Sequence, residues 1–157
     1  HVGDTRCYRF RDGKMERLTK DHSLVQMLID QGKIRPEEAE DHPHANVIVR
    51  AVGIRENVKV DVYEYPVHVG DIFLLCSDGL CGYVNDPQIH QIVQQNRNNL
   101  RQAAQLLIDA ANRAGGHDNI TVQLVEVLRH PEQEDPRELD LSLDDIRQRV
   151  NAALGKI

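Results

Sequence analysis

The sequence predicts an α+β domain, and three observations carry that expectation. An Asp-Gly turn signal joins two short β-prone runs near the start. A five-residue apolar run, Ile72–Cys76, and a second β-rich run over residues 120–128 flank the middle of the chain. Between those runs lie two segments with helical apolar spacing. With 157 residues, 40% hydrophobic and 28% charged, the chain has enough apolar material for one domain with a real core and a tail.

Each element follows from local chemistry. Over residues 5–18, Cys7-Tyr8-Arg9-Phe10 and residues 15–18 flank Arg11-Asp12-Gly13-Lys14, which predicts a hairpin. Ser23, with Gln26 three residues on and Met27, Leu28 and Ile29 after it, forms a capping box for a helix that Gly32 can close. Pro36 opens a second short helix through Glu40. Residues 21–50, which include His22, His42 and His44, therefore form a polar helical insertion with surface histidines. Residues 58–65 partly alternate between apolar and polar, and Val69-Gly70-Asp71 then turns into Ile72–Cys76, a run suited to a central strand buried on both faces. Asp86-Pro87 caps a helix to about Gln95. Asn98 or Asn99 caps another, with Leu100, Ala103, Ala104, Leu107 and Ala111 on one stripe until Gly115-Gly116 stops it. Residues 120–128 form a half-buried last strand. Residues 130–140, with two prolines and five acids, read as a linker before an amphipathic helix over 141–154 striped by Leu143, Ile146, Val150 and Leu154.

Composition narrows the function classes. The most continuous apolar run is broken by Gly70 and Asp71, so no membrane span is expected. Aromatics make up only 4% and no basic stripe appears, which argues against nucleic-acid binding. The net charge of −6 is concentrated in residues 131–145, where seven acids accompany one arginine. Cys7, Cys76 and Cys81 lack metal-ligand spacing and read as reduced thiols of a cytosolic protein. The His-Val-Gly-Asp start, without Met or a signal segment, reads as an internal point of a longer protein.

Three aspartates share one setting. Asp4 precedes the first strand, Asp78 follows the buried strand and Asp118 precedes the last, each within two residues of a glycine. If the strands bearing Asp78 and Asp118 are antiparallel neighbours, the two carboxylates converge. Convergent carboxylates repel each other unless a cation compensates them, and Mg²⁺ or Mn²⁺ accepts such all-oxygen ligation. Taken singly, each is equally a turn aspartate.

The wording around the three is more specific. His1-Val2-Gly3-Asp4-Thr5-Arg6, Leu74-Leu75-Cys76-Ser77-Asp78-Gly79-Leu80 and Gly115-Gly116-His117-Asp118-Asn119-Ile120-Thr121-Val122 resemble, in order, motifs of the PPM (type 2C) metal-dependent Ser/Thr protein phosphatases. Leu18-Thr19-Lys20-Asp21-His22-Ser23 resembles the start of the flap beside the active site in bacterial members, so residues 20–50 correspond to the flap. The resemblance implies a four-layer αββα sandwich over residues 1–129, incomplete at its N-terminus, with 130–157 outside it. It also implies two Mg²⁺ or Mn²⁺ ions bridging a nucleophilic water, with a third ion in many bacterial members. Asp78 and Asp118 would then be ligands of the dinuclear site, and Asp4 with Asp78 would hold the third ion. Gly79, Asn119 and Arg6 are supporting residues. Asn119 would fix the Asp118 loop through its side chain, and Arg6 would neutralise nearby acids or contact phosphate. His117 would be a loop hydrogen-bonder or solvent-facing.

The implied activity is hydrolysis of phosphoserine and phosphothreonine on proteins, opposing a Ser/Thr kinase, in the cytoplasm. The family's bridging-Asp and phosphate-binding Arg motifs do not occur after His1, so no catalytic side chain is assigned within the chain and the 157 residues alone are expected to be inactive. Missing strands would leave 72–76 and 120–128 with unpaired edges and exposed apolar faces. The competing reading is a regulatory pseudophosphatase or partner-binding module that uses the flap and the 141–154 helix.

Overall fold

The computed structural model describes residues 1–39 and 42–129. A compact unit spans His1–Val127. The linker and helix expected over 130–157, and the Glu40 end of the second short helix, lie outside the described residues.

The chain is α+β, as the sequence predicts. Strands β1 (Arg6–Arg11), β2 (Lys14–Arg17), β3 (Ile72–Cys76) and β4 (Val122–Glu126) form one antiparallel sheet in the order β2-β1-β3-β4. The hairpin closes on Asp12 and Gly13, whose φ values of 50° and 73° make the two-residue turn that an Asp-Gly pair favours. In the sheet, Tyr8 pairs with Leu74 and Leu74 with Leu124, and this register puts the alternate residues Tyr8, Phe10, Ile72, Leu74 and Cys76 on one buried face.

Helices α1 (Leu24–Asp30), α2 (Asp78–Cys81), α3 (Asp86–Gln95) and α4 (Leu100–Arg113) complete the unit, with a 3₁₀ turn at Pro36–Glu38. Ser23 caps α1 by accepting from Gln26 N, while the other half of the expected capping box is missing because Gln26 Nε2 donates to Asp30 Oδ1 at 3.1 Å. Ile89 and Val93 of α3 and Ala103, Leu107 and Ala111 of α4 are buried in the core with the inner sheet face. Burial of a side chain such as Leu107 contributes about 1.5–3 kcal/mol. The cap of α4 is Asn99. That of α3 is Asn85, which accepts from Gln88 N and leaves Asp86 and Pro87 in the first turn. Asp86 serves a tertiary contact instead: its Oδ1 accepts a hydrogen bond from the Tyr8 hydroxyl at 2.9 Å.

Three expectations need correction. β3 is central but buried on one face only, with Leu75 44% and Val125 43% exposed on the other. β3 also has no unpaired edge, because β1 and β4 flank it; the sheet edges among the described residues are β2 and β4. His22 is buried rather than a surface group: its Nδ1 accepts from Gly3 N at 3.1 Å and its Nε2 lies 2.9 Å from Asp61 Oδ2. Accepting at Nδ1 places the neutral ring's proton on Nε2, facing Asp61. His42 is half-buried and His44 exposed.

Residues 58–65 form no strand, and an isolated bridge joins Ser23 to Ile48. A buried carboxylate anchors the start of β3: Asp71 is 1% exposed and accepts from Arg11 Nε at 2.6 Å, Arg11 Nη2 at 2.5 Å and His68 N at 2.9 Å. No helix of the described residues is long and apolar enough to cross a membrane.

Candidate metal centre

Antiparallel pairing of β3 with β4 sets the Cys76 end of one against the Val122 end of the other. The loops after β3 and before β4 therefore meet at one sheet edge, and they carry Asp78 and Asp118. Ser77 ties them together. Its N–H donates to Thr121 O at 3.1 Å, its Oγ donates to Asn119 O at 3.0 Å, and the same Oγ accepts from Thr121 N at 3.0 Å. Gly79 is buried against this junction, where a Cβ would fall 2.4 Å from Asn119 O and 2.9 Å from Asn119 C. Only glycine permits that approach.

Each loop carboxylate is steadied by its neighbour's amide. Asp78 Oδ1 accepts from Gly79 N at 3.0 Å, and Asp118 Oδ1 accepts from Asn119 N at 2.6 Å. The remaining oxygens are free to face the cleft. Asn119 was expected to act through its side chain, whereas its bonds among the described residues are made by its backbone N–H and C=O.

Asp4 reaches the same place from the other side of the chain. Asp4, Arg6, Asp21, His42, Asn46, Asp78, Tyr83 and Asp118 are among the residues lining a cleft of about 700 Å³. Arg6 does not serve the three aspartates: it forks onto Asp21, with Nη2 2.8 Å from Oδ2, and Arg17 reaches the other Asp21 oxygen at 2.5 Å. Two arginines thus neutralise Asp21. Among the described residues none of Asp4, Asp78 and Asp118 is in an ion pair. Burial, followed by the charge of Asp78, pushes the Asp4 carboxyl above the usual carboxylate range.

A cleft lined by Asp4, Asp78 and Asp118, in which the charge of Asp78 acts on Asp4, offers the oxygen donors that a hard divalent cation takes. They do not close a site by themselves, since no group of three or more His, Cys, Asp or Glu among the described residues is placed to hold an ion. Two contributors escaped the sequence reading. Asp21 was visible only as part of a flap motif, and Ser77 only as the residue before Asp78. His117 is exposed, with its ring 5.9 Å from that of Tyr83.

The charge state of Asp4 makes a prediction. Its folded-state pKa is raised, so the folded protein binds this proton more tightly than the unfolded one. Its contribution to stability therefore falls as pH rises from the ordinary carboxylate value through the raised one. Asp4→Asn in the full-length protein should raise Tm in EDTA at neutral pH and shrink the further rise that Mn²⁺ produces. A lower Tm in EDTA for the variant would refute the repulsion.

Comparison with known proteins shows which proteins the chain resembles. A sequence model of the family "Protein phosphatase 2C" matches residues 67–120. The serine/threonine phosphatase stp of Listeria innocua is 43% identical over 126 residues, covering 80% of this chain and 50% of that protein. The serine/threonine protein phosphatase PstP of Mycobacterium tuberculosis is 41% identical over 128 residues, 82% of this chain and 24% of that protein. The crystal structure of M. tuberculosis PstP/Ppp matches with a TM-score of 0.77 and 42% identity, over 83% of this chain and 54% of that one. The catalytic domain of PstP in complex with 2 manganese ions matches with a TM-score of 0.68 and 39% identity, over 82% of this chain and 52% of that one. The chain thus spans about half the length of the Listeria relative and about a quarter of the mycobacterial one.

Proposed function

We propose that the chain belongs to the protein phosphatase 2C family over the residues it shares with these phosphatases, and that its full-length protein hydrolyses phosphoserine and phosphothreonine on phosphoproteins, opposing a Ser/Thr kinase. The observation that carries this reading is the cleft with three carboxylates, Asp4, Asp78 and Asp118, that form no ion pair among the described residues, beside an arginine already committed to Asp21. Asp78 and Asp118 would hold one pair of Mg²⁺ or Mn²⁺ ions, and Asp4 with Asp78 a third, alongside ligands from outside the described residues.

When bound, such ions supply a water activated at neutral pH and positive charge beside the phosphoryl oxygens. The described residues position that charge. Ser77 and Gly79 hold the two carboxylate loops in contact, and Arg6 with Arg17 keeps Asp21 from adding a further uncompensated charge. His42, Asn46 and Tyr83 line the same cleft, where a phosphopeptide would lie. Three free cysteines support a reducing compartment, the cytoplasm.

Full-length protein stripped with EDTA should hydrolyse a phosphothreonine peptide only after Mn²⁺ or Mg²⁺ is restored. Activity that persists in EDTA, or no activity with either ion, would overturn the reading.

A further inference from the structure

Asp4 follows a residue that cannot place it unaided. Gly3 is buried with a φ of 102°, and nothing lies within 4 Å of where its Cβ would stand, so backbone conformation rather than space calls for glycine. A glycine leaves the torsions before Asp4 open, and one residue closes them. His22 holds Gly3 twice: its N–H donates to Gly3 O at 2.8 Å, and its Nδ1 accepts from Gly3 N at 3.1 Å. The ring is held in turn at its far nitrogen. Nε2, which carries the proton of the neutral ring, donates to Asp61 Oδ2 at 2.9 Å. Arg50 Nη1 stands 2.9 Å from Nε2 and donates to the other Asp61 oxygen at 2.8 Å. Asp61 is itself pinned by its backbone, since His1 N donates to Asp61 O at 2.8 Å and Asp61 N to His1 O at 3.1 Å.

We propose that His22 is a positioning residue for the ion that Asp4 would help hold: by fixing the Gly3 backbone, it aims the Asp4 carboxylate into the cleft. The inference rests on the reading in which Asp4 with Asp78 holds a third ion. His22 is not among the residues lining that cleft, so it acts through Gly3 and not on a substrate. Asp61 selects the tautomer, because only a ring protonated at Nε2 leaves Nδ1 able to accept from Gly3 N. Groups that orient a metal ligand without touching the metal change metal affinity about 10–100-fold.

The test uses full-length protein stripped with EDTA and titrated with Mn²⁺ in a calorimeter at neutral pH. Asp4→Asn should weaken one class of Mn²⁺ site, and His22→Ala should weaken the same class about 10–100-fold. His22→Asn carries an oxygen where Nδ1 stands and should recover much of the affinity. His22→Gln, whose amide reaches the Nε2 end, should stay as weak as His22→Ala. In the Asp4→Asn background His22→Ala should cost no further affinity, because residues acting through one group do not add. Unchanged Mn²⁺ binding by His22→Ala overturns the proposal and leaves Asp4 a ligand. Unchanged binding by Asp4→Asn removes Asp4 from the ion site, and the proposal with it. Tm in EDTA reports folding, and affinities that rank with Tm instead of with the position of the acceptor reduce His22 to a structural role. If His22→Ala does not fold, equal affinities of the Asn and Gln variants decide against the proposal. A proton–nitrogen correlation spectrum of the wild type should show His22 Nδ1 without a proton, and a protonated Nδ1 overturns the clamp whatever the metal does.

Discussion

Asp78→Asn should lower manganese-dependent hydrolysis of a phosphothreonine peptide by the full-length protein about 100-fold or more, since loss of groups that merely orient metal ligands already costs about 10–100-fold. Asn preserves the side-chain shape and an oxygen able to accept from Gly79 N, which Asp78 takes at 3.0 Å. Charge at the cleft is what the substitution removes. Asp78 is also the carboxylate that repels Asp4, so the variant should bring the Asp4 carboxyl back toward its ordinary range. Steady-state kinetics across a Mn²⁺ titration, with Tm in EDTA as a folding control, separates the two effects. Unchanged kcat/KM at every metal concentration would remove Asp78 from the site.

Asp71→Asn should destabilise the protein by about 3 kcal/mol, the lower end of the range for breaking a buried ion pair. The lower end applies because Arg11, with 22% of its side chain exposed, keeps some access to water and a bond to Pro66 O at 3.0 Å. The Arg11 guanidinium holds the Asp71 carboxyl down from 3.8 to about 2. A depressed carboxylate contributes stability that is present above its unfolded value and lost as pH falls through the folded one. About 2 kcal/mol should therefore disappear between pH 3.8 and about 2, and the gap between wild type and variant should narrow across that window. Urea unfolding at several pH values measures both. A loss within about 0.5 kcal/mol, the range of an ordinary surface change, would show that the pair contributes nothing net.

What was legible in the sequence was what neighbours in the chain decide. Asp12-Gly13 and Ser23 with Gln26 specify a turn and a cap from side chains within three residues, and the turn and the Ser23 half of the cap form. Convergence of the Asp78 and Asp118 loops was legible only on the condition that their strands are antiparallel neighbours, a pairing that β3 and β4 make. The rest depends on partners distant in sequence. Arg6 was legible as an arginine near acids, but its choice of Asp21 depends on how the chain fifteen residues on comes back to it. His22 looked like a surface residue because nothing local shows that Gly3 and Asp61 enclose it. Leu75 belongs to a run apolar at every position, and such a run does not reveal which face the helices cover. α2 went unread because four residues are too few for a periodic pattern.

The bond from Ser77 Oγ to Asn119 O spans 42 residues of sequence. It joins the turns bearing Asp78 and Asp118 into one small plate, with Gly79 leaving no gap between them. Two carboxylates on a shared plate do not move independently. A substitution in either turn should therefore disturb the placement of both carboxylates together.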